Sequence, residues 1–486
     1  MNKKTRIAGL LLAVVCAFGF VGCGGGNGGT EKNKLTLKKT GGREVVFEYL
    51  NGGFGDDPYI AVANAFMDKH PDVQISLLPN RELASTTALN LKGDASSVSD
   101  IYSYMSDGQI KTWVTDGLVE DLTELCNKQT IDGRTVLDAM TGNASSAVNI
   151  NGKIYAVPEY TRTTGFVYNA DLFDKYGWEI PETTKDLEEL CKKILSDTNN
   201  AVVPIVWCND ADGYLYYATE NWLSQYEGIE RMDKFYEYGS VEVYATEDND
   251  EGSISTAKKF ALEKLVKFFL PMSEGGYAHE KSRTLSNTNA QYAIISGSAA
   301  MMLNGSWFEN EMRLYLKNET LKMFPVPELS DSAGNILRSE GFTTEESKRV
   351  LTADYGSYYF IPTKANNKAD AMEFLLYLSS KEACMIYTSY SNAVRPFDYD
   401  LDSASENYKD MSAFGKSVLN MGENYYLYSS VSNSTLALKN KGGLWPRGVR
   451  IEQEILAKGA NKNATYWIEK DYSAAKLAWD SWMELV

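Results

Sequence analysis

Residues 152–169 read Gly-Lys-Ile-Tyr-Ala-Val-Pro-Glu-Tyr-Thr-Arg-Thr-Thr-Gly-Phe-Val-Tyr-Asn, and the organisation of the whole chain turns on them. Asn151-Gly152 is a turn signal, because both residue types tolerate the positive φ that a two-residue hairpin turn requires. An apolar run over 154–157 follows and predicts a short strand. Pro158 has no N–H to give to a central ladder, so the strand is expected to end there or leave the sheet. A polar stretch runs to Thr164, and a second β-rich run begins at Phe166. This is the pattern of a chain crossing from one packed unit to another, with Glu159, Tyr160 and Arg162 at the crossing.

Working outward, residues 45–50 form an apolar run that predicts a buried strand, followed by the glycine-rich loop 51–55. Asp57 is a good helix cap and Pro58 a good first helical residue. Tyr59, Val62, Ala63, Phe66 and His70 recur at helical spacing, Pro71 stops the helix, and 73–78 supplies the next strand. A β-α-β unit implies parallel strands and a right-handed crossover. Ligands of such sheets bind beyond the carboxyl ends of the strands, which places Asp56 and Asp57 well, and likewise Tyr104 and Asp107 just past the strand that begins near residue 100. After the crossing, Leu187, Leu190, Cys191 and Ile194 mark one face of a helix. Residues 202–207 then read as a strand.

Residues 152–157 and 168–173 together resemble the first interlobe crossover of extracellular sugar-binding proteins of ABC importers, of the maltose-binding-protein type. In that family a G-K-x-Y-A-x-P strand leads to Y-N-x-D-x-F, here Tyr168-Asn169-Ala170-Asp171-Leu172-Phe173. Further segments resemble the family in the same order: the strand at 100–102 with Gly117-Leu118-Val119-Glu120-Asp121-Leu122, the helix from Pro181, Ser296-Gly297-Ser298-Ala299-Ala300-Met301 with Gly305-Ser306-Trp307, and 356–378. The helix from Pro181 departs from the family in carrying Thr184 where a tryptophan is usual.

The resemblance implies an α/β chain of the periplasmic-binding-protein type II fold, two α/β lobes joined by a hinge with a ligand cleft between them. Residues 44–161 and 324–385 would form lobe 1, and 162–323 and 386–486 lobe 2, with crossings near Thr161, Met323 and Lys381. It also implies a function: capture of a carbohydrate, an oligosaccharide first of all, for delivery to the permease subunits of an ABC importer, by a monomer without cofactor. The polar contacts it suggests are Asp56, Asp57, Asp107, Glu159, Arg162, Asp212 and Tyr214. Carboxylates and guanidinium groups suit sugars because each hydroxyl both donates and accepts. Trp307 and Trp445 are the expected stacking planes for the apolar face of a pyranose, with Tyr160, Tyr104 and Tyr358 as further aromatic candidates. For each of these residues a plain structural role, a helix cap, a solvated loop charge or a core ring, is the competing expectation.

The beginning of the chain predicts its compartment. Lys3, Lys4 and Arg6 precede an apolar run too short for a comfortable membrane span, so residues 1–22 read as a secretory signal. Phe20-Val21-Gly22-Cys23 resembles a bacterial lipobox, with Phe20 where leucine is usual, which implies lipidation at Cys23. Residues 23–43 begin with a glycine tract and read as a flexible tether. The expected location is the extracellular face of the membrane, held by lipid.

Composition narrows the chemistry. A net charge of −17 repels phosphate backbones and argues against a nucleic-acid partner. With 31 tyrosines and 9 tryptophans the chain is well supplied for sugar-facing surfaces, although most aromatics serve packing. Cys126, Cys191, Cys208 and Cys384 show no C-x-x-C spacing, which disfavours a metal or redox motif, and disulfides among them stay open. Residues 209–214 invite an EF-hand reading, but with Gly213 at loop position six, position one would be Cys208 and position twelve Thr219, which cannot ligate calcium in that role. Only His70 and His279 are available to a nucleophilic triad, and no G-x-S-x-G or H-E-x-x-H occurs. Paired carboxylates keep a secreted glycan-degrading enzyme as an alternative, and a surface adhesin or sensor without transport is another.

Overall fold

Residues 35–50, 52–104, 109–128, 130, 132–142, 144–211, 213–340, 342, 350–399, 406–428, 444, 446, 450–460 and 462–483 are described by the computed structural model. Strand β1 (Arg43–Leu50) buries Val45, Phe47 and Tyr49, every second residue, as a strand with one face on a core must. Helix α1 (Asp57–Lys69) covers it with Tyr59, Val62, Ala63, Phe66 and Met67, the stripe expected of period 3.6. The helix begins one residue earlier than its sequence suggests: Asp57 is already helical, Asp56 is the flanking residue, and neither side chain caps it. Strand β2 (Val73–Asn80) returns parallel to β1. Strand β3 (Ile101–Tyr104), fully buried, lies parallel to β1 on its other side.

The hairpin 149–154 turns at Asn151 and Gly152, both with positive φ, as the Asn-Gly pair demands. Beyond it the break expected at Pro158 does not occur. Strand β4 (Val157–Asn169) runs uninterrupted for 13 residues. Pro158 is tolerated because it faces Tyr358 where the partner strand shifts register twice, so the ladder is irregular where the N–H is missing.

Helix α2 (Thr184–Asp197) opens with a capping box between Thr183 and Asp186 and buries Leu187, Leu190, Cys191 and Ile194. Strand β5 (Val203–Ile205), helix α3 (Gly213–Glu227), strand β6 (Ala299–Gly305), the short helix α4 (Phe308–Met312) and strand β7 (Leu321–Phe324) follow. Strand β8 (Val350–Phe360), helix α5 (Lys381–Ser391) and strand β9 (Tyr426–Tyr428) complete the frame. The strands form one sheet in the order β2-β1-β3-β8-β4-β6-β5, with β7 also on β4 and β9 also on β8. β4 and β8 run antiparallel at its centre and connect its two halves.

Two apolar cores occupy those halves. One is built on β1–β3, α1, the start of β4, the end of β8 and α5, and reaches Ala393 and Phe397. The other is built on the end of β4, α2, β5, α3, β6 and the C-terminal helix 464–483, and takes in Phe324, Val326, Leu329 and Val350. A smaller cluster around Val167, Met302, Phe308 and Phe414 extends it. The boundaries drawn from sequence therefore need moving. Phe324, Val326, Leu329 and Val350 pack with the second core because β7 pairs with the far end of β4, and the return to the first core happens within β8. Residues 386–397 belong with the first core because α5 lies along α1.

Cys126, Cys191, Cys208 and Cys384 are buried, and among the described residues none is joined in a disulfide. Among the described residues no cluster of His, Cys, Asp or Glu could hold a metal ion, and no helix is long and apolar enough to cross a membrane.

Candidate functional site

Along β4, side chains alternate between faces. Tyr160 and Arg162 turn to one side and border a cavity of about 190 Å³. Its remaining lining comes from elements of both halves of the sheet: Leu50, Gly52, Gly53, Phe54 and Tyr59 beside β1, Tyr214 and Tyr217 on α3, Trp307 and Glu311 at α4, and Ser357 on β8, with Trp307, Tyr214 and Tyr217 packing against the first core. The cavity thus lies across the carboxyl end of β1, where an α/β sheet of this connectivity presents its ligand site.

Its aromatic walls are positioned by glycines. The Trp307 ring packs closely against the backbone of Gly305, where a β-carbon would fall 2.2 Å from the indole. Tyr160 packs in the same way against Gly356, where a β-carbon would fall 2.1 Å from its ring. Trp307 Nε1 donates to the Tyr214 hydroxyl at 3.1 Å, and Tyr214 and Tyr217 stack at 5.7 Å between centroids. Phe54 meets Tyr160 edge to face at 4.9 Å. Burial raises the Tyr214 phenol above its ordinary pKa, so it stays protonated and able to donate. On α4, Glu311 faces the cavity, with its Oε2 accepting from Gln291 at 2.6 Å. Crowding by the protein raises its carboxyl above the usual carboxylate range against the pull of that bond.

Helix α4 also ties the two halves together beside the cavity. Arg313, which closes it, pairs with Asp57 at 3.3 Å. Asn392, at the end of α5, donates to Glu309 at 2.9 Å, and Asn310 donates to the Ser391 carbonyl at 3.0 Å.

Comparison with known proteins accounts for this arrangement. Residues 55–384, more than half of the chain, match the bacterial extracellular solute-binding proteins. The chain belongs to that family. Among curated proteins, the melibiose/raffinose/stachyose-binding protein MelE of Bacillus subtilis (strain 168) is 25% identical over 170 residues, 35% of this chain and 36% of MelE, so the match spans little more than a third of that relative. Among solved structures, a chitin oligosaccharide binding protein superposes with a TM-score of 0.62 at 16% identity, covering 90% of this chain and all of the other. RafE in complex with raffinose gives 0.57 at 15%, covering 89% and 100%. The fold of this solute-binding protein is accordingly the type II α/β architecture of the maltose-binding-protein kind. The family and these neighbours are binding proteins.

Of the residues singled out from sequence, Tyr160, Arg162, Tyr214 and Trp307 border the cavity. The others that are described lie elsewhere. Glu159 is fully buried on the opposite face of β4, accepts from Ser103, and is flanked by Arg395, Tyr59 and Tyr387 in the first core. Tyr104 packs against Trp113 at 4.9 Å and donates to Gln109, and Tyr358, its partner in register, is buried with it. Asp56 accepts from the Tyr49 hydroxyl at 2.8 Å, and Asp57 is engaged by Arg313. Cys23, Asp107, Asp212 and Trp445 lie outside the described residues.

Sequence reasoning missed Phe54, Tyr59, Tyr217 and Glu311. The last two carried a signal: Tyr217 stands three residues after Tyr214 and Glu311 four after Trp307, spacings that share a helix face.

Proposed function

We propose that this solute-binding protein captures an oligosaccharide in the cleft between its two cores and delivers it to the permease of an ABC importer. The observation that carries this reading is the aromatic lining carried on elements of both halves of the sheet, with Trp307 and Tyr160 each packed closely against a glycine backbone and bordering the cavity. A planar ring so held covers the C–H face of a pyranose and leaves the sugar hydroxyls to Arg162, Glu311, Tyr214 and Ser357. MelE, a binder of melibiose, raffinose and stachyose, and RafE, seen with raffinose, agree with it as relative and neighbour. In this reading the two cores are lobes that hinge about β4 and β8. The protein is a monomeric receptor rather than an enzyme, exported and held at the extracellular face of the membrane by lipid on Cys23.

The test is a thermal-shift and calorimetric screen of melibiose, raffinose and chito-oligosaccharides. A ligand that binds the native state alone raises the melting temperature. Binding of one of them, recovered chemically unchanged, is the expected outcome. Hydrolysis of the sugar would move the assignment to a glycan-degrading enzyme, and silence across the screen would remove the carbohydrate. Retention of Cys23→Ala in the membrane fraction, at the level of the unaltered protein, would remove the lipid anchor.

A further inference from the structure

Helix α4 starts immediately after Trp307, and its backbone hydrogen bond from Glu311 N to Trp307 O, at 3.0 Å, sets the two residues one turn apart on the same face. The carboxylate therefore lies on the same side of the cavity as the base of the Trp307 side chain instead of across from it. Gln291 holds Oε2, which fixes the rotamer, while Oε1 projects toward the main chain of Gly53. A β-carbon on Gly53 would lie 2.9 Å from Oε1 and equally close to Trp307 Cβ. The glycine keeps open the space in front of the carboxylate. Arg162 borders the same cavity from β4.

We propose that Glu311 is a specificity-determining residue of the cleft, its Oε1 accepting a hydrogen bond from one hydroxyl on the sugar ring that lies against Trp307. The proposal rests on the oligosaccharide reading above. A ring stacked on the indole turns its equatorial hydroxyls outward in the ring plane, within reach of a carboxylate one helical turn along the same wall. An ionised carboxylate accepts the hydrogen bond of a sugar hydroxyl and cannot donate one to a sugar oxygen, so it discriminates where a neutral amide or hydroxyl would adapt. The aromatic plane sets how strongly a ring is held, and Glu311 sets which epimer fits, since inversion of that hydroxyl removes the donor and leaves a partly desolvated carboxylate without its partner.

The experiment is calorimetric titration of the full chain and its Glu311→Ala and Glu311→Gln variants with melibiose and chitobiose and with their monodeoxy derivatives. Hydrogen bonds to charged groups lead us to expect a ten- to hundredfold loss of affinity in Glu311→Ala and a smaller one in Glu311→Gln, with melting temperatures close to that of the unaltered protein. For one monodeoxy derivative alone, the unaltered protein and Glu311→Ala should bind alike, because the deleted hydroxyl is the one Glu311 reads. A structural role would weaken every derivative equally, and that result, or affinity within twofold of the unaltered protein, overturns the proposal. If the unaltered protein binds no sugar of the screen, the carbohydrate reading fails and this assignment falls with it. A variant defect confined to Glu311→Ala with intact binding by the parent would leave the carbohydrate reading standing.

Discussion

Trp307 is only 8% exposed and packs with the first core, yet it borders the cavity from the start of α4. Two roles meet in one side chain, and truncation separates them. Trp307→Ala removes the stacking plane and leaves the Tyr214 hydroxyl without its indole donor. We expect affinity for the cognate sugar to fall by on the order of 2 kcal/mol, roughly thirtyfold, as for an aromatic hot spot. The melting temperature should fall as well, because a buried indole leaves a cavity. Trp307→Phe keeps an aromatic ring against Gly305 and should retain more of both. Calorimetry and intrinsic fluorescence measure the outcome. A second residue reports on pH. Burial, together with Asp248, pushes the Glu227 carboxyl up to about 7 against the pull of Arg231. The folded state then holds its proton more tightly than the unfolded chain does. Stability attributable to this group is complete below the ordinary glutamate range and is lost as pH rises toward 7. Glu227→Gln should therefore be more stable than the parent at pH 8, by about 1–3 kcal/mol, and lose that advantage at pH 4.5, as urea unfolding would show. What sequence revealed at this scale was residue type more than direction. Tyr160 and Arg162 were found by motif. The period-2 alternation that sends Glu159 the other way was equally present in the stretch, but the break assumed at Pro158 hid it.

Among the elements, β4 carries the architecture, and one glycine within it shows how closely its neighbours approach. A β-carbon on Gly165 would fall 2.4 Å from the Phe324 carbonyl of β7. That oxygen belongs to a backbone paired with β4 at Phe166, so it cannot swing away as a side chain would. Gly165→Ala is expected to destabilise the protein by about 1–3 kcal/mol, the range for overpacking a filled interior, with a lower urea midpoint and an unchanged slope. An unchanged midpoint would mean that β7 can move off β4. The elements that sequence revealed were those specified locally. The Asn151-Gly152 turn, the stripe of α1 and the apolar face of α2 each depend on residues a few positions apart. The points where the chain changes core were not legible in the same way. They depend on β7 and β8 finding β4 from far along the chain, and neither strand announces its partner. The run of β4 through Pro158 belongs to the same class, since only the irregular register opposite it makes a proline tolerable there.

For the whole molecule the question is how the contacts between its two halves beside the cavity bear on the proposed capture of a sugar. Arg313 on one half and Asp57 on the other form an ion pair beside the cavity, and Glu311 approaches Gly53 within the same few ångströms. In the hinge reading proposed above, bending about β4 and β8 would separate these contacts when a ligand enters. A ligand that touches both walls favours the joined form by its differential affinity for the two states. Small-angle scattering should then show a smaller radius of gyration with saturating melibiose or raffinose, whichever binds, than without. The ion pair faces solvent, its arginine more than its aspartate, so its contribution is small and screened. Arg313→Ala should weaken sugar binding by no more than about 1 kcal/mol, roughly fivefold, at low ionic strength. Raising the salt to about 1 M, where the screening length is about 3 Å, should bring the variant and the parent together. Because neither Arg313 nor Asp57 lines the cavity, this loss should be the same for every sugar that binds, whereas substitutions at Glu311 should act selectively. An affinity difference that persisted at high salt, or a radius indifferent to ligand at saturation, would locate the coupling between the two halves in the strands themselves and not in the pair that bridges them.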